Sequence, residues 1–281
     1  MTISPQNLEL LDGLSLSAGV HEFREDGLNA LEAVAWIAGL PHCSDPECTS
    51  EILASYVRVL NDTTDDEQRS RLIPFIPRLI DTAAGYDIDL VWSHYLAWKA
   101  VCVFMPIALR MRGQHVYALQ LEAQTNLYEV HELTESIGKK IKSGKLKDDT
   151  LLLDALWQCG QAALFSVCLP KTEIERQAGI ALGYSYGRGA AASARCISNV
   201  AALGSPSAWD QALLALEETL MLGELVRLAS AYKALGETYG WLSTVSSGYQ
   251  KGPGGYPCTS TYYIPVGPIL ELRLRIDRDP L

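Results

Sequence analysis

The sequence predicts a mainly α-helical protein, an irregular multi-helix bundle of antiparallel helical hairpins finished by a small C-terminal β-hairpin or strand. Three observations carry that expectation. Apolar residues recur at i, i+3, i+4 and i+7, as in Leu31, Val34, Ala35 and Ala38, which is the period of a helix with one buried face. Such stretches open on capping residues and stop at Gly or Pro. Only the tail changes to a period of two, where Leu270, Leu272, Leu274 and Ile276 alternate with Glu271, Arg273, Arg275 and Asp277, the pattern of a half-buried strand. No repeat of fixed period is visible, which favours an irregular bundle over a solenoid.

The first element is a short helix around Gln6 to Leu11, followed by the extended segment LSLSAGVHEF. The chain is then organised around Gly27 to Leu60. Asn29 with Glu32 three residues on is a capping-box pattern, and Leu28 stands where a hydrophobic staple would. Trp36 and Ile37 widen the apolar face of this helix, so both of its sides need cover. Gly39 and Pro41 end it. A second helix, entered through Thr49 or Ser50, carries Ile52, Leu53, Tyr56, Val57 and Leu60 on one face, and the two form an antiparallel hairpin.

The turn between them holds His42, Cys43, Asp45 and Cys48. All four residue types ligate transition metals, and four such side chains could hold zinc in a tetrahedron. Their spacing lacks a second Cys pair. A turn at Asp45-Pro46, a buried Cys48 and a His42 bonded to a helix end explain the same residues without a metal.

Beyond Leu60, Asp65 and Asp66 suit a helix N-terminus, and Pro74 and Pro77 break the next stretch into short helical pieces. A long helix from Asp87 presents Leu90, His94, Tyr95, Trp98, Cys102 and Met105 on a broad face, with a kink at Pro106. His94 and Cys102 are placed to complete a metal site with the turn, although a histidine bonded to a carbonyl is the plainer expectation. Gln114 to Lys142 continues helical. Its HELTE, His131 to Glu135, lacks the second His of a zinc-protease helix. The tract Lys139, Lys140, Lys142, Lys145 and Lys147 reads as a solvated helix end, with an anion or partner contact as the lesser alternative.

Asp148 to Leu169 is a further helix ended by Pro170, and Thr172 with Glu175 restarts the pattern. Gly183 to Gly187 satisfies the G-x-S-x-G of a nucleophile elbow, with Ser185 at its centre. All five histidines precede Ser185, so a hydrolase's general base cannot follow the serine in the usual order. Gly187-Arg188-Gly189 lacks the Lys-Ser/Thr of a phosphate loop. Gly179 to Ala202 is expected as a helix rich in small residues, where Gly183, Gly187, Ala190, Ala191 and Ala194 let a neighbour approach closely. Pro206 to Val245 is the longest apolar-periodic segment, with Trp209, Leu213, Leu216 and Leu220 near one stripe. SSGYQKGPGGYPCT is a Gly/Pro loop leading into the strand-forming tail. These shifts divide the chain into 1–143 and 144–246, both helical, and 247–281, a loop and β tail, within what could be one continuous domain.

The residues LEAVAWIAG, Pro41, His42, Pro46, Cys48, Asn61, Asp62, Leu72, Pro74, Pro77, Arg78 and Leu79 resemble an element of uncharacterised bacterial and phage-encoded helical proteins. In that group the turn reads H-S-D-H-P-x-C-x-C, and this chain has Asp45 at the second His and Ser50 at the second Cys. The resemblance implies long Ala-rich helices downstream and no particular activity.

With 48% hydrophobic and 20% charged residues, composition is that of a globular protein. No secretory signal and no membrane span are expected, and seven scattered cysteines suit a reducing cytoplasm. A net charge of −10 argues against nucleic acid as a partner, since that affinity comes from cations on phosphates. The expected function is that of a non-enzymatic interaction or assembly protein, phage-encoded in one version, acting through a protein partner or self-association. The alternative is a metal-binding module or metal-dependent enzyme using zinc at His42, Cys43, Asp45 and Cys48.

Overall fold

The computed structural model describes residues 7, 9–83, 85–170, 173–181, 185–239, 248–251, 257–266 and 270–277. The protein is mainly α-helical. It divides into two compact units, Met1–Thr219 and Leu220–Leu281.

In the first unit, α1 (Ala30–Ile37) starts as its sequence demands. The Asn29 side chain accepts the N–H groups of Leu31 and Glu32, and Glu32 in return accepts the Asn29 N–H at 2.8 Å. Nearly the whole helix is buried, including Leu31, Val34 and Ile37, so it is covered on both sides. Gly39, at φ 74°, takes the left-handed conformation that ends the helix cheaply. The next helix, α2 (Glu51–Thr63), is capped by Ser50 and buries the expected residues Ile52, Leu53, Tyr56, Val57 and Leu60, packing on α1 and more extensively on the helix Arg188–Ala202. Asn61, at 1% exposure, ties the hairpin together, accepting the Ala30 N–H and donating to the Ser17 carbonyl.

Two short helices come next, α3 (Asp66–Ser70), capped by Asp65, and α4 (Ile76–Leu79), with a 3-10 turn over Ile73–Phe75. Pro74 and Pro77 each sit in the first turn of their segment, where a missing N–H costs nothing.

The expected long helix is present but not uniform. It comprises α5 (Tyr86–Lys99), a π-helical turn (Ala100–Phe104) and α6 (Met105–Met111). Pro106 has no N–H for the carbonyl four residues back and its ring crowds that turn; the widened π turn directly before it takes up the mismatch. By length and composition this stretch could cross a membrane, yet 61% of its most apolar window is buried inside the protein, as a core helix would be. Lys99 is buried with it, its ammonium 2.5 Å from Glu218 and near the rings of Tyr95 and Trp98.

Gln114 to Lys142 is not one helix, contrary to its periodicity. It forms α7 (His115–Glu122) and α8 (Val130–Lys142). Between them the Asn126 side chain accepts the Tyr128 N–H at 2.9 Å, a local turn bond that competes with helix. Next comes α9 (Thr150–Val167), whose cap, Asp149, also pairs with Arg112 at 2.7 Å. The lysine-rich loop expected as a boundary joins α8 to α9, which pack on each other.

The small-residue segment is likewise broken, into α10 (Glu173–Ala181) and α11 (Arg188–Ala202). Residues 182–184 and Thr172 lie outside the described residues, so Gly183 and Tyr184 of the G-x-S-x-G pattern do too. Gly187 is nonhelical and tightly enclosed: a Cβ there would lie 1.8 Å from Ser55 Oγ and 2.7 Å from the Glu51 carbonyl. The close approach expected of this segment is made by α11 on α9. A Cβ at Gly189 would stand 3.3 Å from both the Ala162 carbonyl and the Ser166 nitrogen, with Ala162, Ala163, Ala190 and Ala194 all fully buried around it.

The last helix, α12 (Ala208–Tyr239), begins two residues after Pro206. Within the first unit its buried line is Ala208, Ala212, Ala215, Leu216 and Thr219, while Trp209 and Leu213 are only half-buried. The larger side chains flank the contact because small ones let the helix seat closely: the Ala212 carbonyl accepts the hydroxyl of Tyr56 at 3.1 Å. Of the second unit, side chains are described only to Leu228, and most of the Gly/Pro loop lies outside the described residues.

Candidate functional site

The four candidate ligands of the turn do not converge on one point. His42 Nε2–H donates to the His21 carbonyl at 3.0 Å, and His42 Nδ1 is buried without a hydrogen-bond partner. Asp45 is exposed and pairs with Arg58 at 3.1 Å. Cys48 is buried, its sulfur 3.9 Å from Thr49 Oγ1, and Cys43 is a half-buried free thiol. Among the described residues, no three His, Cys, Asp or Glu side chains are grouped as a metal would require. His94 Nδ1–H donates to the Leu90 carbonyl at 2.9 Å, the plainer of its two expected roles. Cys102 faces the carbonyls of Leu121 and Gln124, and burial, with Glu122 adding to it, pushes its thiol up to about 11.

The polar side chains around the turn form one structural network. Glu32, wholly buried, accepts the backbone N–H of His21, the His21 ring N–H and the Asn29 N–H, each at 2.8 Å. Burial raises the Glu32 pKa, but these hydrogen bonds and the adjacent His21 outweigh it and hold the carboxyl below its ordinary value. Such a group locks the N-terminal segment onto α1 and leaves no capacity for a ligand.

A different place has that capacity. Between α2, α9 and α11 lies a cleft of about 450 Å³ lined by Arg58, Arg188 and Arg195, with no carboxylate among its lining residues. Three helices distant in sequence build it. Arg58 comes from α2 and is held by the Ser44 carbonyl and Asp45. Arg188 and Arg195 come from α11, seven residues apart, and therefore lie on the same helix face. Arg188 stacks over Phe165 of α9, 4.5 Å from the ring centroid. Neither Arg188 nor Arg195 makes an ion pair among the described residues.

The frame around these cations is rigid. Glu51 Oε1 accepts the N–H groups of Tyr186 and Gly187 at 2.7 and 3.2 Å, closing the start of α11 and satisfying donors that a helix N-terminus otherwise leaves open. Asp154 of α9 accepts from Asn199 of α11 at 2.6 Å. Trp157 forms one wall and is 55% exposed, whereas Gln158 beside it is 6% exposed and its side-chain oxygen has no hydrogen-bond partner. Ser185 stands exposed among the lining residues.

This arrangement can hold an anion. Guanidinium groups bind carboxylates in a planar, bidentate manner, and Trp157 offers an apolar face. The cleft is not visible as a unit in the sequence: Arg188 stands in Gly187-Arg188-Gly189, which lacks a phosphate loop's Lys-Ser/Thr, and Arg58 lies more than a hundred residues from it and from Arg195. The legible signal was the seven-residue spacing of two arginines on an otherwise Ala-rich helix. No family model, curated protein or solved structure matches the chain.

Proposed function

We propose that the chain is a non-enzymatic interaction protein that receives an acidic segment of a protein partner in the cleft between α2, α9 and α11. The observation that carries this is the convergence of three arginines, two without an ion-pair partner among the described residues, in a chain of net charge −10. An overall acidic molecule repels an extended polyphosphate, while a local basic cleft still steers and orients a few carboxylates.

The test is the fluorescence anisotropy of a labelled short glutamate peptide, with and without Arg188→Glu and Arg195→Glu together. Saturable binding that this pair of changes removes is the expected result. Unchanged binding in the variant, or an oligothymidylate that displaces the peptide, overturns the proposal.

The same function accommodates self-association through the tail. Backbone segments Pro257–Val266 and Leu270–Asp277 run antiparallel, with Thr259 opposite Asp277 and Val266 opposite Leu270, which supports a C-terminal hairpin bearing the alternating pattern of Leu270 to Ile276. A two-stranded or three-stranded ribbon of that size needs an apolar face covered. A clean monomer in light scattering, with the tail protected from hydrogen exchange, would count against assembly. Free thiols at Cys43, Cys48, Cys102, Cys159, Cys168 and Cys196 support a cytoplasmic setting, and the resemblance of the N-terminal hairpin supports a bacterial or phage one.

A zinc-holding turn is the second reading, favoured by the unpartnered Nδ1 of His42 and by free thiols at Cys43 and Cys48 in the same turn of the sequence. Stoichiometric zinc in protein purified without added metal would establish it.

A further inference from the structure

Trp157 walls a second cleft as well as the arginine one. This cleft, of about 260 Å³, lies where α9 packs on α8, and His131, Glu135, Lys139, Lys142 and Leu153 help to line it. Lys142 is exposed and makes no ion pair among the described residues. Lys139 and His131 share Glu135, at 3.8 and 3.5 Å, so the two lysines leave an excess of positive charge over that single carboxylate.

The α9 residues of the two clefts run from Leu153 to Phe165. At a helical rise of ~1.5 Å per residue this is roughly 18 Å, a span that about six extended residues cover. The shared wall is an exposed tryptophan, the residue type that most often anchors a protein contact. Cations without ion-pair partners among the described residues therefore stand at both ends of one stretch of α9, with the exposed indole of Trp157 between them.

We infer that a single extended acidic segment crosses Trp157 and occupies both clefts. Its carboxylates meet Arg188 and Arg195 at one end and Lys142 and Lys139 at the other, and an apolar residue between them rests on the indole. This rests on the acidic partner proposed above and adds its form: an extended strand with charge at both ends and an apolar centre, longer than the arginine cleft alone could hold.

Two fluorescein-labelled peptides test it, one of about eight residues with glutamates flanking a central leucine, the other of about four glutamates. Lys139→Glu with Lys142→Glu is expected to weaken the longer peptide roughly tenfold, as reversal of steering charges does, and to leave the shorter one unchanged. Arg188→Glu with Arg195→Glu weakens both. Circular dichroism of each variant verifies the fold. If the longer peptide ignores the lysine changes but still requires the arginines, the two-cleft inference is overturned and the arginine cleft stands. If neither peptide binds the unaltered protein, both are overturned.

Discussion

The turn from His42 to Cys48 and the cleft between α2, α9 and α11 differ in how their polar groups are spent. The turn concentrates metal-ligating residue types within seven positions, yet His42 donates to His21, Asp45 pairs with Arg58, and Cys48 is buried. The cleft draws its cations from positions as far apart as 58 and 195, and two of the three have no ion pair among the described residues. Arg58 belongs to both regions, tethered by the turn while lining the cleft. Proximity in sequence is therefore a poor guide to capacity for binding. What matters is whether the fold has already supplied a group with partners, since a satisfied polar group gains little from a ligand.

The comparison breaks most readily at Gly187, because the cleft depends on α11 seating against α2. Gly187→Ala puts a carbon against Ser55 and the Glu51 backbone, and overpacking of this kind is expected to cost about 3 kcal/mol. Urea unfolding measures it, and an unchanged midpoint would mean that the start of α11 is loosely held. Next in size is the paired arginine change, expected to remove about 2 kcal/mol of peptide affinity while lowering stability by no more than the roughly 1 kcal/mol of the lost Arg188–Phe165 stack. A larger fall in stability would make those arginines structural, like Arg58.

Glu32→Gln probes the other region, with an expected loss of about 1 kcal/mol at neutral pH. The sign follows from the lowered Glu32 pKa. A carboxyl ionising more readily in the folded state than in the unfolded one stabilises above its unfolded pKa, and that contribution is lost as pH falls through the folded one. The variant should therefore have a flatter acid limb, measured as thermal midpoint against pH. An unaltered limb would show that the network around Glu32 does not depend on its charge.

Smallest of all is Asp45→Asn, which removes an ion pair with a largely exposed carboxylate and should shift stability by less than about 0.5 kcal/mol. Chelation with EDTA should likewise leave the melting curve in place. A large shift on chelation would reverse the comparison and make the turn the functional region.

Much of the first hairpin was readable in advance. Asn29 and Glu32 form their box, Gly39 ends α1 and Ser50 caps α2, because caps and stops involve residues within four positions of one another. The interruptions were less readable. Asn126 diverts the chain between α7 and α8, and Gly187 meets Ser55 across more than a hundred residues. Neither disturbs the apolar period that the helices on each side share. On α12 the expected stripe of Trp209, Leu213, Leu216 and Leu220 holds at Leu216 and Leu220, which are buried, whereas Trp209 and Leu213 are half-buried and Ala212 and Ala215 are fully buried instead, since periodicity ranks hydrophobicity and seating depends on size.

By itself, then, the sequence determined the helical class, the caps, the stops and the apolar faces, all set by local backbone chemistry and spacing. Tertiary structure alone decided which faces meet and which charges remain unspent. Packing brings Arg58 beside Arg188 and Arg195, pairs Asp45 away, and leaves Trp157 exposed between two clefts. Those outcomes depend on distances between helices remote in the chain, which no local pattern encodes.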